Sequence, residues 1–300
     1  MKTINIAFVS DNNYFNYMLI AIESIIKNRL KLNNLRFYIL NAGINNENIE
    51  LLKCKYKIKS GIEFIFINID KNTISKFNVK THVSNAAFAK IYMCDLIRED
   101  RIIYLDCDLI VNDDLEKLWN EFEENVTLKA VWNPFYNYDN KYLGIKDNQR
   151  TFNSGVMLLR LDRMRKNNSS NKLDQFLREY NDKTKLHDQA AFNAIFKGDW
   201  KELDLKWNVQ VSMLSNFYKD LKITKNQYLE LYNDAGIIHF TSNSKPWQYR
   251  NSHPYKRLYI DTYEESIGTI KYNDINFISL MKKIKEYLRY KYYYYISKLL

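Results

Sequence analysis

The stretch "RIIYLDCDLIVNDD", Arg101 to Asp114, places two carboxylates where an apolar strand should be ending. Ile102, Ile103, Tyr104 and Leu105 form one apolar run, and Leu109, Ile110 and Val111 form another. Asp106 and Asp108 stand between them, separated only by Cys107. An ionised carboxylate is costly to bury without a partner, so the pair calls for a positive charge. Alternate side chains of an extended segment share a face, which lets both carboxylates converge on one point. Hard oxygen donors in that arrangement suit Mn2+, or Mg2+, carrying phosphate groups. The plainer reading is a pair of solvated acids in a turn, because D-x-D is short and recurs by chance. The apolar run favours the metal, since open α/β sheets receive ligands at the carboxyl ends of their strands.

Similar runs recur on both sides of this stretch, at 4–10, 35–40, 62–68, 128–132 and 155–161. Most are apolar throughout rather than strictly alternating, as expected for strands covered on both faces. Helical spacing lies between them, in 14–28, within 74–97, in 170–182 and in 188–198. Alternating strands and helices predict an α/β fold with a mixed, mainly parallel, Rossmann-like sheet. The polar segment 163–171, "RMRKNNSSN", reads as an exposed connection. No internal repeat is present.

The bulk numbers bound the function. A chain of 300 residues that is 46% hydrophobic can bury a sizeable core, which excludes global disorder. Forty-five Lys and Arg against 35 Asp and Glu leave +10, which points to an anionic partner. Three cysteines, an odd count without metal-type spacing, predict free thiols in a reducing compartment. The amino terminus lacks a signal-peptide pattern, and no run of about 18 apolar residues is present. Together these predict a cytoplasmic protein.

Four further constellations carry chemistry. "IIHFTSNSKPW", Ile237 to Trp247, delivers His239 at the end of an apolar run, with Lys245 six residues on. Imidazole ligates Mn2+ and an ammonium pairs with phosphate; a hydrogen-bonded core-edge histidine and a surface lysine are the plain alternatives. "AFVSDNNYF" sets Asp11, Asn13 and Tyr14 after the first strand, where Ser10 or Asp11 can cap the next helix and the loop can hold a nucleotide. In "FNSGVMLL", Asn153 and Gly155 precede a strand, and glycine there permits close approach of a ligand. In "LHDQAAFN", Asp188 and Gln189 stand at a helix start, where Asp188 serves equally well as a cap.

Taken together and in this order over residues 4 to 250, these segments resemble glycosyltransferase family 8. That group includes bacterial lipopolysaccharide α-galactosyltransferases and α-glucosyltransferases and glycogenin. The resemblance implies a GT-A fold and retaining transfer of a sugar from a UDP-linked donor. It implies Asp106, Asp108 and His239 as Mn2+ ligands, and Asp11, Asn13 and Tyr14 as uridine contacts. It assigns Asn153 and Asp188 to donor-sugar hydroxyls and Lys245 to the diphosphate. Gln189 falls near the anomeric carbon, and an amide is a poor nucleophile, so front-face attack is expected rather than double displacement. Asp188 is the alternative nucleophile. Three departures stand out. Lys90 in "FAKI" replaces an arginine, keeping the charge but losing the bidentate fork. Asn133 replaces an acid, and Ser242 replaces a glycine between the histidine and the lysine.

The expected division is a catalytic domain over 1–255 and a helical tail over 256–300. From Lys271 onward, seven Lys or Arg against two acids give +5. Phe277, Leu280, Met281, Ile284, Tyr287 and Leu288 share one face at helical spacing, as in a helix lying on an anionic membrane surface. A helix docked on the protein is the other reading. The expectation is a peripheral enzyme on the inner face of the cytoplasmic membrane. It moves galactose or glucose from UDP-galactose or UDP-glucose to a saccharide or lipid-linked saccharide acceptor in surface polysaccharide synthesis. A non-catalytic nucleotide-sugar-binding scaffold is the alternative. Nucleic-acid binding is not expected, because the basic residues gather at the carboxyl terminus while the groove holds acids.

Overall fold

In the computed structural model, residues 2–30, 33–70, 85–136, 139–146 and 149–300 are described. Their strands are β1 (Thr3–Ser10), β2 (Asn34–Asn41), β3 (Ile62–Asn68), β4 (Arg101–Leu105), β5 (Leu109–Val111), β6 (Leu128–Trp132), β7 (Phe152–Arg160), β8 (Trp200–Glu202), β9 (Val209–Gln210) and β10 (Ile237–His239). The longer helices are α1 (Phe15–Lys27), α2 (Asn46–Tyr56), α3 (Ser169–Tyr180), α4 (His187–Ile195), α5 (Lys225–Asn233), α6 (Lys256–Ser266) and α7 (Phe277–Leu299). The chain divides into two compact units. One comprises Met1–Met18, Leu30–Cys107 and Glu116–Leu203, the other Leu19–Arg29, Asp108–Leu115 and Asp204–Leu300.

The first unit is built on a seven-stranded sheet in the order β3-β2-β1-β4-β7-β6-β8. All pairings are parallel except those of β7, which runs antiparallel to β4 and β6. This is the mainly parallel α/β fold that the sequence predicts. Every residue of β1 beyond Thr3 is buried, which explains why the run does not alternate. Edge strand β3 is only partly covered. Ala7, Tyr104 and Met157 pack in one core with Phe88 and Phe192, each buried ring contributing about 1.5–3 kcal/mol.

The strand order creates the ligand crevice. The chain moves outward through β1, β2 and β3, then returns to place β4 on the other side of β1. At such a switch the carboxyl ends of adjacent strands open a gap. Asp11 follows β1 and Asp106 follows β4 at this edge. Because β7 is antiparallel, its beginning lies at the same edge: Leu105 pairs with Val156, and the Asp106 N–H donates to Gly155 O at 2.8 Å.

Two expected segments differ. Residues 74–84 of the expected helical stretch lie outside the described residues, and the rest forms a 3-10 turn (Asn85–Tyr92) leading into the short helix Met93–Leu96. The segment 163–171 is mostly helical rather than an exposed connection, with Met164, Ser169 and Ser170 buried. Arg165 ties it down by donating to the carbonyls of Cys94 and Ile97 at the end of that short helix, satisfying groups a helix terminus leaves open.

The second unit holds a three-stranded sheet, β5-β10-β9. β10 lies antiparallel to β5, with His239 opposite Leu109 and Ile237 opposite Val111. Gly236 feeds β10 past Trp207, and a Cβ there would stand 2.9 Å from the indole ring. Helix α7 docks through the face opposite the apolar one: Ser279, Tyr290 and Ser297 are buried, and Arg289 donates to Ser215 O. Its apolar face points outward. Phe277 is 75% exposed, and Leu280, Met281, Ile284, Tyr287 and Leu288 are exposed as well. No described helix is long and apolar enough to cross a membrane.

Candidate active site

The first unit gathers one polar cluster at the switch point. Lys90, buried at 2% exposure, leaves the 3-10 turn and reaches Asp188 Oδ2 at 2.5 Å and Asp106 Oδ1 at 3.7 Å. It also donates to Ser154 Oγ at 3.2 Å and stands 5.0 Å from the Tyr104 ring centre. Burial disfavours the Lys90 charge, but Asp106 and Asp188 outweigh it and raise its pKa. The Tyr104 hydroxyl donates to Asp106 at 2.7 Å. Burial first, and then the Asp106 charge, push that phenol well above its ordinary range. Lys90 is thus a point charge shared among several oxygens.

Around it, β7 and α4 interlock. Gln189 Oε1 accepts from Asn153 Nδ2 at 3.1 Å and from the Ser154 N–H at 3.3 Å, while Ser154 Oγ donates to Asp188 at 3.2 Å. Asn193 clamps the two elements by accepting from the Phe152 N–H and donating to the Phe152 carbonyl. Gln189 Nε2 is buried without a hydrogen-bond partner among the described residues, a donor left for a ligand to satisfy. His187, directly before Asp188, has φ +32°, an uncommon backbone for a non-glycine residue. Its Nδ1 is held 2.8 Å from Asn181 Oδ1.

Asp11 accepts from the N–H groups of Asn13 and Tyr14 at 3.0 Å each, closing the turn that precedes α1 rather than capping the helix itself. Its carboxylate therefore orders the loop after β1. Tyr14 stacks edge-on with Tyr17.

The second unit builds the other cluster on Asp108. The Phe240 N–H donates to the Asp108 carbonyl at 2.9 Å, continuing the β5–β10 ladder. That register sets His239 Nε2 3.1 Å from Asp108 Oδ1, with His239 Nδ1 3.1 Å from Asn208 Oδ1. Lys245 Nζ lies 2.5 Å from Asp108 Oδ2 and 2.6 Å from Phe240 O. Burial opposes ionisation of Asp108, but the Lys245 and His239 charges and hydrogen bonds prevail and hold its carboxyl below the usual range. Ser242 stays within its loop, its hydroxyl bonded to the Ser244 backbone on the way to Lys245.

Asp106, Asp108 and His239 make up a group of three side chains able to hold a metal ion. Sequence reading did not single out Tyr104, Ser154 and Asn208 as members of these clusters. Ser154 had a local signal, lying inside "FNSG"; Asn208, 31 residues from His239, had none.

A mainly parallel sheet with helices around it is the GT-A fold of a solved glycosyltransferase, and here a D-x-D after a central strand contributes to an Asp-Asp-His group. Enzymes of this kind use a nucleotide-sugar donor and usually a divalent metal. Glycosyl transferase family 8 matches residues 5–251, and the chain belongs to that family. General stress protein A of Bacillus subtilis (strain 168) is 30% identical over 280 residues, covering 91% of this chain and 96% of that protein. Glycosyltransferase GlyA of Streptococcus pneumoniae serotype 4 is 28% identical over 255 residues, covering 85% of this chain and 34% of GlyA. In fold, the chain is similar to the galactosyltransferase LgtC, solved with donor and acceptor sugar analogues. The TM-score is 0.74 at 21% identity, with 93% of this chain and 100% of LgtC covered.

Proposed function

We propose that this glycosyltransferase moves a hexose, galactose or glucose, from its UDP-linked form to a saccharide or lipid-linked saccharide acceptor, with retention at the anomeric carbon. The acceptor belongs to bacterial surface polysaccharide, lipopolysaccharide or capsule. The observation carrying this reading is Asp108, whose two carboxylate oxygens are divided between the His239 imidazole and the Lys245 ammonium.

Mn2+, or Mg2+ in its place, fits the donor set of Asp106, Asp108 and His239, two hard carboxylates and an imidazole. Asn208 on Nδ1 turns Nε2 toward Asp108, the outer-shell support that metal-ligating histidines use. When bound, the cation neutralises the diphosphate as a Lewis acid. Lys245 adds positive charge for the departing diphosphate. Asp11, Asn13 and Tyr14 hold the uridine, and Asn153 and Asp188 hold donor-sugar hydroxyls. Gln189 offers its unpartnered Nε2 as a donor. Ser242 shapes the loop that presents Lys245.

Front-face attack is favoured. The Lys90 ammonium and the Ser154 hydroxyl both bond Asp188 Oδ2, which stabilises the carboxylate charge and weakens it as a nucleophile. The acceptor oxygen bonds to the anomeric carbon as the sugar–phosphate bond breaks, and its proton passes to the leaving phosphate oxygen. The catalytic domain is 1–255, and the tail over 256–300 lays the exposed apolar face of α7 on the anionic inner face of the cytoplasmic membrane.

Incubation with UDP-galactose, UDP-glucose and their N-acetyl forms, with Mn2+ and after chelation, tests the reading by UDP release. Metal-dependent release from a hexose donor is expected. Absence of release from every donor, with and without candidate acceptors, would overturn it. A glycosyl adduct trapped on Asp188 would replace the front-face mechanism.

A further inference from the structure

A cavity of about 690 Å3 in the second unit is lined by residues of α5, α6 and α7 and by the segment Asn251–Pro254. Among the described residues, Lys256, Arg257, Lys283 and Lys291 line it and no Asp or Glu does. None of Lys256, Lys283 and Lys291 is ion-paired with a carboxylate among the described residues. Lys256 donates to the carbonyls of Gln248 and Asn251 and stands 4.9 Å from the Tyr272 ring centre; Lys283 stands 4.2 Å from that of Tyr249. Burial and then the Lys283 charge lower the Lys256 pKa to about 8, with the Asp274 and Glu286 carboxylates offsetting this only in part.

Two buried donors belong to the same lining. His253, 3% exposed, accepts the Tyr255 N–H on Nδ1 at 3.2 Å, so the proton of the neutral ring resides on Nε2. Among the described residues that Nε2 has no hydrogen-bond partner, and neither does the hydroxyl of Tyr290, which is 4% exposed. The two rings stand edge-to-face at 5.4 Å. Native proteins rarely leave buried donors unpaired. Three lysines without a direct carboxylate contact, together with neutral donors, suit a compact anion with several oxygen acceptors, which describes a phosphate ester.

The surroundings favour a lipid as the source of that phosphate. Tyr287 and Lys291 line the cavity from α7, and the same helix exposes Met281, Ile284 and Leu288. A phosphate held in the cavity would direct its hydrocarbon chains onto this apolar face. We propose that the α6–α7 cavity binds the phosphate headgroup of an anionic lipid, separate from the donor-sugar chemistry. The proposal rests on the membrane-surface reading of α7 and gives that surface a headgroup-specific site.

The test is calorimetric titration of the full chain with monomeric dihexanoyl phosphatidate, dihexanoyl phosphatidylcholine and inorganic phosphate. Phosphatidate is expected to saturate one site at least about tenfold more tightly than the other two. Lys283→Gln and Tyr290→Phe should each weaken it severalfold with the thermal midpoint retained. Equal affinity for inorganic phosphate would make this a site for soluble phosphates and overturn the lipid assignment. Absence of saturable phosphatidate binding, or binding unaffected by both substitutions, would overturn the site. The titration contains no bilayer, so its failure beside intact vesicle partition sinks the cavity alone. Phosphatidate binding without vesicle partition supports the cavity and sinks the membrane reading.

Discussion

Lys90 Nζ and Asp188 Oδ2 face each other at 2.5 Å, with the lysine side chain only 2% exposed. A lone buried ammonium is costly, and this one is balanced by Asp188 and Asp106 while Ser154 takes a further donor position. Lys90→Met would strand two carboxylates, and removal of one partner of a buried pair costs about 3–5 kcal/mol. Urea unfolding should record a loss of that order. A loss below about 1 kcal/mol would mean that water or rearrangement already satisfies the carboxylates.

Asp108 links backbone register to chemistry. Its carbonyl pairs with the Phe240 N–H and its carboxylate meets His239 and Lys245. Asp108→Asn keeps the ladder and removes the charge. Metal-dependent UDP release should fall by at least about 10²-fold, with an unchanged far-ultraviolet spectrum. Near-normal release at saturating Mn2+ would remove Asp108 from the ligand set.

Gly236 is required by packing. A Cβ would stand 2.9 Å from Trp207, which is fully buried. Gly236→Ala should destabilise the protein by about 1–3 kcal/mol, the usual cost of overpacking, visible as a lower melting temperature. An unchanged midpoint would show that the indole ring yields freely.

His253 governs part of the acid response. Burial lowers its pKa from 6.5 to about 3. Between those values the unfolded chain binds the proton and the folded chain does not, so stability falls as pH drops through this window. The slope from one such group is about 1.4 kcal/mol per pH unit. His253→Gln should flatten the dependence of unfolding free energy on pH between 6.5 and 4 by roughly that amount. Identical slopes would exclude the histidine as a contributor.

The exposed face of α7 allows a membrane test that does not require deleting the tail, whose Tyr290 and Ser297 are buried. Replacing Phe277, Met281 and Leu288 together by Ser should reduce sedimentation with phosphatidylglycerol vesicles, each lost side chain weakening binding by about 1.5–3 kcal/mol at most. The melting temperature should hold, because these side chains face outward. Undiminished sedimentation would leave only the lysines to account for any binding.

The sequence by itself determined the fold class, because strands buried on both faces read as largely apolar runs, and β1, β2 and β4 do so with only Asn5 and Arg36 interrupting them. It also determined the chemical character of the site: two acids after an apolar run, a histidine after another and a lysine six residues later have few common uses. Local signals marked the spacing from Phe277 to Leu288 as helical. The antiparallel course of β7, which carries Asn153 and Ser154 to the edge where Asp106 ends β4, came only from tertiary structure. So did the Lys90 network, because which oxygens surround a buried ammonium depends on residues 16 to 98 positions away in the chain. The outward apolar face of α7 belongs with these. Periodicity identifies two faces of a helix, but which one docks is decided by the groups that meet it, here through Tyr290 and the Ser215 carbonyl.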